Sequence, residues 1–160
     1  MSETRWLNAK ELDAWRNIVG LVLFLPTRLE EALQRNGLNF FEYSTLAALS
    51  DAPDQTIQMS SLADLANGSL SRLSHAAKRL ENRGWIERHT SPSDRRVTLA
   101  TLTKEGMAKL VEVAPSHVES VRQAVFDTLT PQQVLELGAI CGMVVQNINP
   151  GWPPWEQKET

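Results

Sequence analysis

A single cysteine, Cys141, in 160 residues leaves no partner for an intramolecular disulfide, so a reducing cytoplasm is the expected compartment. The longest apolar run, Ile18 to Leu25, is eight residues and is interrupted by Gly20, too short to span a bilayer. The residues around Glu3 carry no small-residue cleavage pattern, so no secretory signal is expected. Catalytic signatures are missing as well. There is no phosphate-cradling glycine-rich loop, no H-E-x-x-H, no G-x-S-x-G and no second cysteine near a histidine. Acidic residues such as Glu30-Glu31 fall at the spacings of solvated helix faces, which predicts no catalytic pair and no enzyme. His75, His89 and His117 fall in three separate predicted elements without ligand-like pairing, so neither a metal nor a cofactor is expected.

What the chain does have is concentrated between residues 60 and 106. Ser61 with Asp64 three residues on predicts a capped helix start, and Asn67-Gly68 predicts its end. Ser69 offers a second N-cap. From there Leu70, Leu73, Ala77 and Leu80 recur at steps of three and four, which gives the second helix one buried stripe. Its other face carries Ser71, Arg72, Ser74, His75, Lys78, Arg79 and Asn82, able to donate hydrogen bonds to phosphates or base edges. Gly84 supplies the left-handed residue that stops it. Two strand-like runs follow, Trp85 to His89 and Val97 to Leu102, around a turn containing Ser91-Pro92-Ser93-Asp94 with Asp94-Arg95-Arg96 at the tip. Two short helices and a charged hairpin are the pattern of a winged helix-turn-helix, whose hairpin lies beside the groove the second helix enters.

Charge agrees once it is divided along the chain. The whole carries a formal −3, which argues against indiscriminate binding to nucleic acid. Between Gly68 and Arg96, however, seven Lys/Arg face three acids, a local +4, so the remainder sums to −7. One basic face on an acidic body is the expectation.

The flanks read as helices. Asn8 with Glu11 predicts a capped helix through Asn36, with Leu12, Trp15, Val19, Val22 and Leu29 near one apolar face, Pro26 as a kink and Gly37 as the stop. Asn39 with Glu42 opens a second helix that runs through Leu46 and Leu49 to the Ala52-Pro53-Asp54 turn, and Thr56 to Met59 reads as a short strand pairing with the wing. Thr103 caps a helix containing Leu110, Val111, Val118, Val121, Val125 and Phe126, broken or bent at Pro115. Thr130-Pro131-Gln132-Gln133 opens a last helix to about Asn147, on which Cys141 among Ile140, Met143 and Val144 reads as a buried, inert thiol. The tail from Asn149 reads as irregular. With 42% hydrophobic residues the chain can bury a core, yet these terminal helices are too apolar to be solvated alone. They are expected to meet across a homodimer axis, the alternative being that they close a larger monomeric core.

From Leu12 to Ile148 the chain resembles the MarR family of bacterial transcriptional regulators. The resemblance rests on Leu62-Ala63, Leu80-Glu81-Asn82-Arg83-Gly84, the Asp94-x-Arg96 wing, and Leu102-Thr103-Lys104-Glu105-Gly106, in that order. It implies a homodimer whose two winged domains read a pseudo-palindromic operator, released by a small aromatic effector or by cysteine oxidation. It also implies an Asp94–Arg96 ion pair in the wing and Arg95 as the minor-groove arginine. The oxidation-sensing branch uses a cysteine in the first helix, where this chain has none.

The expected fold is mainly α (α+β). Residues 1–38 form an N-terminal dimerisation helix, 39–102 the winged DNA-binding lobe, 103–148 the C-terminal dimerisation helices and 149–160 an irregular tail. The expected partners are double-stranded DNA, a second copy of the chain and an aromatic effector, with no membrane. The DNA-facing set is Ser69, Ser71, Arg72, Ser74, His75, Lys78, Arg79, Asp94, Arg95 and Arg96. Arg72 is the best candidate for a guanine, Lys78 and Arg79 for phosphates, while His75 fits either a DNA contact or a plain exposed position. Trp15, Arg16, Phe40 and Tyr43 are candidate walls for the effector, or ordinary core. Two functions fit this reading: a ligand-responsive repressor, and a winged module that binds protein rather than DNA. The +4 concentration favours the first.

Overall fold

The computed structural model describes residues 4–66 and 68–150. Asn67, half of the expected helix end at Asn67-Gly68, lies outside the described residues, as does the tail from 151 to 160.

Local capping chemistry sets most boundaries. α1 (Ala9–Gln34) starts in a capping box: the Asn8 side chain accepts from the Lys10 and Glu11 N–H groups, and Glu11 accepts from the Asn8 N–H. α2 (Phe40–Asp51) repeats the device with Asn39 and Glu42. A short 3₁₀ turn, Pro53–Gln55, leads into β1 (Thr56–Gln58). Then come α3 (Met59–Leu65), α4 (Leu70–Asn82), and the wing strands β2 (Ile86–Thr90) and β3 (Thr98–Leu102). α5 (Lys104–Ala124), a 3₁₀ turn at Phe126–Thr128 and α6 (Pro131–Ile148) complete the order, and the Thr130 box at the start of α6 is formed as expected. No helix among the described residues is long and apolar enough to cross a membrane.

Three expectations needed tertiary information and failed without it. α3 does not begin at a Ser61–Asp64 cap. It leaves β1 directly at Met59, with no side-chain bond from Gln58, because pairing β1 to β3 delivers Met59 already buried and that burial outweighs local capping. The buried stripe of α4 is Leu73, Ala76, Ala77 and Leu80, while Leu70 is exposed, since the first turn of the helix projects beyond the core. α5 runs through Pro115 as one helix, so of the expected break or bend the break does not occur. Pro115 and Val111, whose carbonyl the proline leaves unpaired, both face solvent, where water can satisfy it. α1 likewise continues through Pro26.

The sheet has the order β1-β3-β2, all antiparallel. Ile86, Ala100 and Leu102 share its inner face and join Leu33, Leu46, Leu62, Leu73 and Leu80 in one core between α2, α3, α4 and α5. The Leu-Thr-x-x-Gly run closes the wing onto that core. Thr103 caps α5 through the Gly106 N–H, and its hydroxyl donates to the Gly84 carbonyl at 2.7 Å. A Cβ on Gly106 would collide with the Trp85 carbonyl, so the close approach of α5 to the wing admits glycine alone.

The terminal helices behave differently. Only Leu29, Ala32 and Leu33 of α1 are buried, and no residue of α6 is. The two helices therefore do not close a monomeric core. Cys141 is exposed rather than buried, because none of the described residues covers that face of α6.

Candidate nucleic-acid interface and the adjoining cavity

α4 places its polar residues outward because Leu73, Ala76, Ala77 and Leu80 hold the opposite face in the core. Ser69 is its N-cap, accepting the Arg72 N–H at 3.2 Å. Ser71, Arg72, His75 and Lys78 are exposed and Ser74 is half-buried. The Arg72 guanidinium stacks 4.4 Å from the centroid of the Phe41 ring. That ring also packs against Gly68, where a Cβ would meet it at 2.6 Å, so the loop before α4 and the Arg72 platform share one support.

Arg79 departs from its neighbours. Its Nε donates at 2.6 Å to Glu42, a carboxylate on α2 that is 3% exposed. Glu42 also accepts from the Asn39 N–H at 3.2 Å and lies 4.0 Å from Arg83, which in turn donates at 2.6 Å to the Gly37 carbonyl. These bonds clamp α4 to α2. The sequence reading had Glu42 only as a cap residue and did not anticipate its partners, which lie 37 and more positions away. The one local hint was an acid set among Phe40, Phe41 and Tyr43.

The wing is tied to α4 by Glu81, which accepts from Arg88 Nη2 at 2.6 Å and from the Arg88 N–H. These hydrogen bonds from Arg88 hold the Glu81 carboxyl below the usual carboxylate range. At the tip, Asp94 accepts from the Arg96 N–H at 2.9 Å and from its guanidinium at 3.1 and 3.2 Å. These bonds lower the Asp94 pKa in turn. The brace is therefore complete above the ordinary carboxylate range and is lost as pH falls through that lowered value. Arg95 beside it is exposed.

Behind this face lies an open cavity of about 780 Å³ between α2, α3, α5 and the end of α6. α2 serves both. Phe40, Tyr43, Ser44, Ala47, Ala48 and Asp51, spaced by three and four, line the cavity. Phe41, Glu42, Thr45, Leu46 and Leu49 form a second stripe, buried toward α4. Of the four expected effector walls, Phe40 and Tyr43 come together here, with His117 of α5 stacked 4.4 Å from Tyr43. Trp15 and Arg16 do not line it, since both are exposed on the half of α1 that the described residues leave uncovered. His117, singled out in the sequence only for lacking a ligand-like pairing, is a cavity wall packed against Phe40 and Tyr43, and burial pushes its imidazole pKa down.

Comparison with known proteins gives a consistent result. The model of the MarR family matches residues 38–98. Sco3205 of Streptomyces coelicolor, a MarR family transcriptional regulator whose structure was solved in complex with DNA, is 42% identical, with a TM-score of 0.85 and 94% of each chain covered. The HTH-type transcriptional regulator MhqR of Bacillus subtilis (strain 168) is 30% identical over 61% of this chain and 66% of its own. The transcriptional repressor MprA of Escherichia coli (strain K12) is 34% identical over 57% of this chain and 52% of its own. The match thus spans about half to two thirds of these curated relatives.

Proposed function

Because the chain belongs to the MarR family, we propose that it is a cytoplasmic, non-enzymatic repressor that binds a pseudo-palindromic operator as a homodimer and releases it when an effector occupies the cavity. Residues 39–102 are the reading lobe, and residues 1–38 with 103–148 the dimerisation lobe. The observation that carries this reading is an α4 whose outer face is polar and cationic, braced by Glu81 to a wing that presents an exposed Arg95. Ser69, Ser71, Arg72, Ser74 and His75 lie at the groove, with Arg72 leaving Phe41 to meet a guanine. Lys78 contacts phosphate, while Arg79 acts mainly by holding α4 in place.

Selection of bound sequences from a random DNA pool should return two inverted half-sites about 34–36 Å apart. Repeating it with Arg72→Ala should relax one base position at a cost of about 1–3 kcal/mol. An unenriched pool would point instead to a winged module that binds protein.

The two wing arginines have separate jobs under this reading. Arg95→Ala should lower operator affinity and flatten its salt dependence by about one unit, with thermal stability unchanged. Asp94→Ala should also weaken DNA binding, although it removes a negative charge, because Arg96 then loses its anchor and the tip its shape. Tighter binding by Asp94→Ala in a fluorescence anisotropy titration would show that the pair is not a brace.

A further inference from the structure

Arg72 is already engaged before any DNA arrives. Its backbone N–H caps onto Ser69, and its guanidinium lies 4.4 Å from the centroid of the Phe41 ring, with no ion pair or hydrogen bond to that guanidinium among the described residues. Gly68 leaves room for the contact: a Cβ there would strike the ring at 2.6 Å and touch Arg72 Cδ at 3.8 Å. The arginine is thus folded back over the loop that precedes α4 rather than extended from the first turn of the helix. Phe41 is 7% exposed and fixed in the core on the buried stripe of α2, so the ring cannot follow the guanidinium into a groove. An arginine that reads a guanine edge has to reach outward into the major groove, which makes the ring and the base alternative partners for one side chain.

We propose that Phe41 is a specificity-determining residue that never touches DNA: its ring competes with guanine for Arg72 and lowers affinity for the operator more than affinity for other sequences. A cation over an aromatic face at an exposed site is held by about two- to fivefold in an equilibrium constant, whereas a good bidentate guanine contact discriminates by about five- to 150-fold. Guanine therefore wins Arg72, and the operator complex forfeits the stacking factor once in each half-site. On a duplex with no guanine in register, an exposed ion pair with phosphate offers no more than the ring does, so Arg72 stays on Phe41 and nothing is forfeited. The ring thus narrows the gap between operator and bulk DNA by about two- to fivefold per half-site.

This rests on the assignment of Arg72 to a guanine, and the experiment separates the two. Phe41 is replaced in the full chain with pentafluorophenylalanine, which keeps the ring in its place in the core but reverses its quadrupole, so that the face repels the guanidinium. Binding is measured by fluorescence anisotropy at one salt concentration to the duplex recovered from the random pool and to a scrambled duplex of the same length and composition. The recovered duplex should be bound more tightly by at least about twofold per half-site, and the scrambled duplex equally well. In an Arg72→Ala background the same replacement should change neither. Phe41→Leu, which removes the ring altogether, should shift operator affinity in the same direction and with the same dependence on Arg72. Weaker binding of the recovered duplex would show that the ring holds Arg72 ready for the base, and overturns the competition. Unchanged binding overturns it too, as does a change that is equal on both duplexes or persists without Arg72, since the ring then acts through the fold. If Arg72→Ala alone relaxes no base position, the guanine assignment is overturned and this proposal with it.

Discussion

Arg79→Met is expected to cost about 3 kcal/mol of folding stability, because it strips a buried carboxylate of its close partner. Glu42 is 3% exposed, and the cation left to it, Arg83, lies 4.0 Å away and is already engaged with the Gly37 carbonyl. Half of the Arg79 side chain remains in contact with water, which keeps the loss at the low end for a broken buried pair. A thermal melt should show Tm falling by about 6–12 °C. Glu42→Gln keeps an acceptor for the Asn39 N–H while removing the charge. The double variant should therefore melt well above Arg79→Met alone, the non-additivity of two residues in one network. Lys78→Ala, one position earlier and exposed, should do the reverse: Tm unchanged, salt dependence of DNA binding flatter by about one unit. If Arg79→Met melts with the wild type, the clamp between α2 and α4 contributes nothing to the fold.

The second large effect is expected at α6. Ile140, Met143, Val144 and Ile148 are all exposed there, as are Ile18, Leu21, Val22 and Phe24 on α1, an apolar surface far larger than scattered side chains. Burying it against a second copy gains roughly 25 cal/mol per Å², and a carboxylate placed in its middle would be desolvated without a partner. Ile140→Glu should give a monomer by light scattering at micromolar concentration, with helix content retained because α6 buries nothing within its own chain. Operator affinity should fall by about 10²–10⁴, the gain that linking two half-site contacts provides. A variant that stays dimeric would place the axis on another surface.

How much of this was legible in the sequence follows from distance along the chain. The caps at Asn8, Asn39, Ser69, Thr103 and Thr130 were readable because donor and acceptor lie within three residues. The Asp94–Arg96 brace spans two residues, and it was expected from the family resemblance. The start of α3 was misread because a strand partner some 40 residues away, β3, decides it. Glu42 was half-read: its cap is local, its ion pair is not. Cys141 was misread for another reason. An apolar neighbourhood on a helix implies a covering surface, and no surface among the described residues supplies one. Trp15 and Arg16 were grouped with Phe40 and Tyr43 as aromatic and basic residues of adjacent helices, but α1 is 26 residues long and only its end reaches α2.

The two stripes of α2 have a thermodynamic consequence. One helix gives a wall to the cavity and a floor to the recognition helix, so a ligand that prefers one placement of α2 biases the placement of α4. Linkage makes that influence mutual: whatever factor the ligand takes from operator affinity, the operator takes from ligand affinity. Under the proposed function, operator DNA is thus an inhibitor of ligand uptake. A dimer seated on its site must be the poorest sensor in the population, and free dimers fill first.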